Sequence, residues 1–273
     1  MPAMLERSIN LGVDPFEPTV EEFLGSLTRA RKSALLLDFD GTLAPFEIDP
    51  SIVRPWPGIP ELLQQIQDCG RTRLALVSGR PAQQLRRLLP LREPLDIWGL
   101  HGAERLHQDG RLERNELPAQ DTQALIDARE LLQSIQLRPG IRIENKWNAV
   151  ALHWRGISAR LSQETSKYAA NLLLPFASNS ELQISSFDGG LELRSRHNKA
   201  DAVHIMLKEL PDDAPVAYLG DDTTDDDAFQ ALSGRGLCVL VRPRWRPSSA
   251  HLWLRAPAQL RRFLAAWLMA LRQ

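Results

Sequence analysis

Cysteine is nearly absent: Cys69 and Cys238 are the two in 273 residues. Neither belongs to a CxxC pair and each lies in or beside an apolar stretch, which excludes a disulfide framework and reads as two buried thiols in a reducing cytoplasm. No apolar run reaches the roughly 18 residues that a membrane-spanning helix needs. The segment FLAAWLMAL near the C-terminus has half that length and is expected to be an amphipathic helix packed on the core. The opening MPAMLERSIN lacks the apolar stretch of a signal peptide, so the expected location is cytoplasmic. An excess of one charge is missing too: 33 Lys plus Arg face 34 Asp plus Glu, a net charge of -1. No broad basic field exists for nucleic acid or anionic lipid, so neither is an expected partner. The short run Arg242, Arg244 and Arg246 is broken by prolines and reads as a solvated loop. Internal repeats and low-complexity tracts are absent.

What is present is strand alternating with helix. Thr19 followed by Glu22 has the capping-box spacing of an opening helix. ALLLD (34–38), RLALVS (73–78) and DIWGL (96–100) are short apolar runs of the kind buried on both faces, with helices expected over 58–69 and 81–89. This order predicts a parallel sheet with helices on both sides. The pattern changes after Glu104. Asp109-Gly110 and Asp188-Gly189-Gly190 mark hairpins, IRIEN and AVALHWR (141–155) read as paired strands, and helices are expected over 119–135 and 159–174. Alternation resumes with a helix over 198–209, PVAYLG (215–220), a helix near 225–232 and GLCVLV (236–241). An antiparallel α+β module therefore interrupts a parallel domain, with expected segments 1–107 plus 196–273 and 108–195.

Chemistry concentrates where the core strands end. LLLDFDGTL puts Asp38 and Asp40 two residues apart at the end of the first strand, on one face, with Gly41 allowing a tight turn. Two carboxylates this close call for a cation or a shared proton, and a carboxylate is also a nucleophile in phosphoryl transfer. An Asx-turn is the ordinary alternative for a single aspartate. Ser78-Gly79-Arg80 offers a hydroxyl and backbone N–H groups suited to phosphate, or a plain helix cap. Asn198 is a natural cap, which leaves Lys199 in a first helical turn where the dipole disfavours a cation. That placement suggests a phosphoryl group or the Asp38 carboxylate as its partner, with a surface pair to Asp201 as the alternative. Five aspartates (221, 222, 225, 226 and 227) crowd YLGDDTTDDDAF. Some can cap a helix, but Asp221 and Asp222 come too early, and hard oxygen ligands beside a phosphate favour magnesium.

These residues resemble the haloacid dehalogenase (HAD) superfamily: DFDGT (38–42), Ser78, Lys199 and GDD (220–222) follow its four motifs in order. Within it, SGRP (78–81), GLHGAE (99–104), ENK with VALHWR (144–155) and GDDTTDDDAF (220–229) resemble the trehalose-6-phosphate phosphatases. The resemblance implies an α/β fold, a Rossmann-like core with an inserted α+β cap of the C2 type. It implies a Mg²⁺-dependent phosphatase with Asp38 as nucleophile, Asp40 as acid and base, and Ser78 and Lys199 steadying the phosphoryl group. Mg²⁺ would be held by Asp38, the backbone oxygen of Asp40, and Asp221, with Asp222 or Asp225 in support. Gly79, Arg80, His101, Glu104, Glu144, Lys146, His153, Arg155 and Glu192 would meet the substrate. Taken without the resemblance, the i, i+2 pairs Glu144/Lys146 and His153/Arg155 are equally ordinary cross-strand charges. Leu100 and Ala200 stand where the family usually has histidine and glycine. The implied partners are a sugar phosphate and, functionally, a trehalose-6-phosphate synthase. Phosphatases for sucrose, glucosylglycerol or mannosylglycerate phosphates, or a silent sugar-phosphate-binding regulator, are the competing readings.

Overall fold

A computed structural model describes residues 18–47, 52–134, 139–187 and 189–273, so MPAMLERSIN and Asp188 lie outside the described residues. Two sheets organise the chain. The larger one begins with β1 (Ser33–Leu37), whose five residues are all buried. Its order is β12-β11-β10-β1-β2-β3-β4-β5, with β2 (Thr72–Val77), β3 (Asp96–Gly99), β4 (Glu104–Leu106), β5 (Leu112–Arg114), β10 (Val216–Gly220), β11 (Leu237–Val241) and β12 (Leu252–Leu254). All neighbours from β12 to β3 pair in parallel, while β3, β4 and β5 are antiparallel. The chain passes from β1 to β2 on one side and later to β10 on the other. β1 is therefore the switch point, where open α/β sheets leave a crevice at the carboxyl ends.

Alternation along these strands builds two apolar layers. Leu35, Leu37, Leu74, Leu76, Leu219 and Val239 face one side; Ala34, Leu36, Ala75, Val77, Val216 and Tyr218 face the other. The first layer is covered by α1 (Pro18–Arg29), α2 (Ile59–Asp68), α3 (Ala82–Leu88) and α8 (Ala258–Arg272). The second is covered by α6 (Lys199–Glu209) and α7 (Asp226–Leu232). Burying each leucine of β1 is worth roughly 1.5–3 kcal/mol. α1 is described from Pro18, so Thr19, the expected cap, lies inside it. FLAAWLMAL forms most of α8, and Trp267 inserts fully, its indole N–H on Thr72 Oγ1 at 3.0 Å. β12 was not expected: three residues, LWL, give too short an apolar signal.

The smaller sheet is antiparallel, β6-β7-β9-β8, from β6 (Arg142–Lys146), β7 (Ala149–His153), β8 (Gln183–Phe187) and β9 (Gly190–Arg194). One face packs Val150, Leu152, Leu191 and Leu193 against α4 (Ala119–Leu132) and α5 (Ala159–Ser178). With period two, the opposite face carries Arg142, Glu144, Lys146, His153, Glu192 and Arg194. The boundary expected at residue 108 cuts the β4–β5 hairpin, whose second strand is hydrogen-bonded into the large sheet. The Asp109-Gly110 hairpin expected between RLH and RLE forms, but its strands join the large sheet rather than the smaller one.

Arg71 joins the two terminal helices. Its guanidinium donates to the carbonyls of Leu27 and Thr28 in the last turn of α1, of Ala30 just after it, and of Leu271 in α8. Those carbonyls lack helical partners. Arg71→Ala is expected to lower unfolding stability by about 2 kcal/mol in urea titration, with activity of the surviving folded fraction kept.

Candidate active site

Asp38 follows β1 directly, its backbone N–H donating to the Leu219 carbonyl of β10 at 2.9 Å. It is 3% exposed and its Oδ1 receives Lys199 Nζ at 2.9 Å. Asn198 caps α6 in a full capping box with Asp201, which leaves Lys199 as the first helical residue, aimed inward. Asp201 is occupied by His197 and the Asn198 N–H, which disposes of the surface-pair alternative for Lys199. The ammonium instead bridges Asp38 and Asp225, the latter at 2.7 Å. Burial opposes its charge, but the carboxylates of Asp225 and Asp38 outweigh this and hold its pKa above the ordinary lysine value.

Asp225 is fully buried. Oδ1 accepts Lys199 Nζ and the Tyr218 hydroxyl; Oδ2 accepts the N–H groups of Asp221 and Asp222 at 3.1 Å each. It thereby fixes the loop after β10. Asp221 presses on Gly41, whose φ of 84° and missing Cβ make that approach available. Asp38, Asp221 and Asp225 each offer an oxygen within 4.8 Å of the others. Burial, then Asp38 and Asp225, pushes the Asp221 carboxyl well up, and burial pushes Asp38 up to about 7 against the pull of Lys199. Asp221 Oδ1 is buried without a hydrogen-bond partner. Three buried carboxylates against one ammonium, with one Asp221 oxygen left without a partner, offer hard oxygen ligands that fit Mg²⁺, and such a cation would reverse these upward shifts.

Of the run expected to be a solvated loop, Arg244 is exposed, but Arg242 and Arg246 fold onto this site. Arg242 donates to the Asp221 carbonyl at 3.0 Å, and Arg246 donates to the Asp222 carbonyl at 2.6 Å and forks onto Asp226. Asp222 is less central than expected: its Oδ1 accepts the Thr223 N–H at 2.7 Å, a cap at the head of a short 3₁₀ turn.

Asp40 accepts both arms of the Arg80 fork, at 2.5 and 2.7 Å. Ser78 is buried at the end of β2; α3 starts only at Ala82, so Ser78 is not its cap. Leu100 and His101 both have positive φ, 52° and 58°, held by N–H bonds to the carbonyls of Arg80 and Ser78. This strained turn lays the His101 imidazole on Gly79, where any Cβ would collide with it.

Above these groups lies a cavity of about 640 Å³. Its floor is Asp38, Asp40, Ser78, Gly79, Arg80, Lys199, Asp221 and Asp222; its roof is Glu144, Lys146, His153, Arg155 and Glu192 from the smaller sheet, with His101 between. Glu144 accepts His153 Nε2 at 2.8 Å, which with Lys146 outweighs burial and holds its pKa at about 2. Glu192, 1% exposed, meets His101 at 3.1 Å, Lys146 at 3.3 Å and Arg194 at 3.2 Å, which keep it ionised despite burial. Because that carboxylate only accepts, His101 Nε2 carries the proton, leaving Nδ1 as a buried acceptor without a partner. Burial holds the His101 pKa down at about 4.

Glu104 is the exception among the expected residues. It does not line the cavity; its carboxylate is taken up by Ala82 N, Arg114 and Trp147. Conversely Arg142, Phe46 and Phe187 line the cavity without having been expected there. Arg142 was findable, because Arg142, Glu144 and Lys146 are i, i+2, i+4 on one strand face. Phe46 and Phe187 are brought in by tertiary packing alone, Phe46 under the Arg155 guanidinium (4.3 Å) and Phe187 against His153 (5.2 Å).

A carboxylate pair on the strand at the switch point of a doubly wound sheet, roofed by an inserted antiparallel sheet, is the haloacid dehalogenase architecture. A phosphatase of the haloalkanoate (HAD) superfamily from Bacteroides thetaiotaomicron shares it, with TM-score 0.59, 15% identity and coverage of 86% of this chain and 95% of that one. The chain belongs to the trehalose-phosphatase family, whose sequence pattern matches residues 36–251. The trehalose-phosphate phosphatase of Mycobacterium marinum is 31% identical over 247 residues, covering 85% of this chain. This chain spans 60% of that relative's length. The trehalose-6-phosphate phosphatase C-terminal domain of C. albicans superposes with TM-score 0.80 at 20% identity, covering 91% of this chain and 96% of that domain.

Asp225→Asn puts an amide where either Lys199 and Tyr218 or two backbone N–H groups need an acceptor. It is expected to cost about 1–3 kcal/mol in denaturant unfolding and to weaken Mg²⁺ binding by calorimetry. His101 sets a pH signature. The unfolded histidine binds a proton at its ordinary 6.5 and the folded one at about 4, so this group withdraws stability as pH falls through that window. Asp38 and Asp221 shift with the opposite sign. The measurement is therefore the difference in unfolding free energy between wild type and His101→Gln with Mg²⁺ saturating. It is expected to fall by on the order of 2 kcal/mol from pH 6.5 to 4.

Proposed function

We propose that the chain is a Mg²⁺-dependent phosphatase that hydrolyses trehalose 6-phosphate to trehalose and phosphate. The observation that carries this reading is the cavity itself, with phosphoryl-transfer groups on its floor and a polar, charge-paired roof beside them. Mg²⁺ would be held by Asp38, Asp221 and the backbone oxygen of Asp40, with Asp225 orienting the loop. When bound, it neutralises phosphate charge and favours in-line attack.

Asp38 attacks phosphorus, forming an aspartyl-phosphate as the bond to the sugar oxygen breaks, and Asp40 gives that oxygen a proton. A water then attacks the phosphorus, losing its proton to Asp40 and releasing phosphate with Asp38 restored. Ser78 and Lys199 stabilise the transferring group. Arg80 forks onto Asp40. An incoming phosphate competes for that fork and frees Asp40 to face the leaving oxygen. Glu144, Lys146, His153, Arg155 and Glu192 offer donors and acceptors to sugar hydroxyls. The setting in this reading is the cytoplasm, with the substrate supplied by a trehalose-6-phosphate synthase.

The purified chain with Mg²⁺ is expected to release inorganic phosphate from trehalose 6-phosphate, and to do so at least about tenfold more efficiently than from sucrose, glucosylglycerol or mannosylglycerate phosphates. Chelation should abolish turnover and Mg²⁺ restore it. Asp38→Asn should lower kcat by about a thousandfold or more and leave no acid-stable trace of phosphoenzyme. No release from trehalose 6-phosphate refutes the substrate; full activity in Asp38→Asn refutes the mechanism.

A further inference from the structure

Glu104 lies outside the cavity yet is 3% exposed and takes donors from three separate parts of the chain. Oε1 accepts the Ala82 N–H at 2.8 Å, immediately after the Ser78–Pro81 loop. Oε2 accepts Arg114 Nε at 3.2 Å, where the chain leaves the large sheet, and Trp147 Nε1 at 3.2 Å, in the β6–β7 turn of the small one. The Arg114 guanidinium also lies 5.8 Å from the Trp147 ring centre. Residues flanking Trp147 extend this seam. Lys146 Nζ donates to the Gly79 carbonyl at 3.1 Å, and Asn148 exchanges hydrogen bonds with Ser195, where the chain returns to the large sheet. Both crossings between the sheets and the 146–148 turn are thus gathered at one end of β6 and β7. The other end carries Arg142 paired with His153, and beyond them Arg155 over Phe46, a distance of about 13 Å along the strand.

We propose that the Glu104–Trp147 hydrogen bond is the pivot on which the small sheet is seated. One carboxylate orders the phosphate-side loop through Oε1 and the sugar-side strand through Oε2. A shift at this end is carried along β6 and β7 to every roof group, Lys146 first. Glu104 and Trp147 are positioning residues: neither touches the reacting atoms, and the effect of the bond between them appears only for a substrate large enough to reach the roof. The inference rests on the proposed trehalose 6-phosphate activity for its choice of large substrate.

Trp147→Phe keeps the ring and removes the N–H. It is expected to lower kcat/KM for trehalose 6-phosphate about tenfold, the worth of one hydrogen bond to a buried charge, while p-nitrophenyl phosphate changes less than about twofold. In Glu104→Gln the amide cannot accept from both Ala82 and Trp147. Selectivity should fall similarly, and the double variant should lose no more than Glu104→Gln alone. Amide hydrogen exchange in 142–153 should quicken in Trp147→Phe while β1 and β10 stay unchanged. Equal losses on both substrates, additive losses in the double variant, or unchanged exchange overturns the pivot. A wild type that hydrolyses p-nitrophenyl phosphate but not trehalose 6-phosphate refutes the function proposed above, and the exchange experiment still decides the pivot.

Discussion

The ammonium of Lys199 between Asp38 and Asp225 is the contact on which the site depends. A cation in the first turn of α6 opposes the helix dipole, at a cost of several tenths of a kcal/mol, and its burial costs more. The two carboxylates offset both. They in turn tolerate burial because Lys199 is there, and Asp225 spends its remaining acceptor capacity on Tyr218 and the loop after β10. Remove the lysine and the loop, the strand end and the helix start lose their common partner. With it, the cluster still holds three carboxylates against one ammonium. That imbalance is why the same geometry asks for a divalent cation.

Topology places this cluster where it can work. Asp38 follows β1, Ser78 follows β2, Lys199 opens α6 and Asp221 lies in the loop after β10, residues as far as 183 positions apart in sequence. They meet because parallel strands end together and β1 is the switch point. The second sheet then needs only its period-two alternation. One face is apolar against α4 and α5, so the other turns its charged residues to the cavity.

The parallel core and its carboxylate ends were legible because they rest on local signals: apolar runs buried on both faces, and acidic or basic residues where a helix would not want them. Lys199 is the clearest instance, an electrostatic anomaly in sequence that became a buried bridge. Glu104 was misread because a motif indicates that a glutamate is near the site without indicating which way its carboxylate turns. Arg242 and Arg246 were misread for a related reason. Apart from the Arg246 fork onto Asp226, their partners at the site are backbone carbonyls of Asp221 and Asp222, and carbonyls leave no mark in composition. β12 is three residues, below the length at which periodicity carries information, whereas the equally short β5 was legible through its turn signal.

Floor and roof of the cavity divide the electrostatic labour. The floor is unbalanced and charged, suited to a phosphoryl group whose charge shifts during reaction. The roof is already paired: Glu144 with His153, and Glu192 with His101, Lys146 and Arg194. Both roof carboxylates already hold side-chain partners, so a ligand entering the roof is not needed to supply them. What it meets is a fixed set of donor and acceptor directions. Such a surface rewards a neutral polyhydroxylated group of matching shape and penalises one that leaves those buried atoms unpaired. Chemistry and selection are thus held on separate sheets, and the Glu104–Trp147 contact sets the register between them.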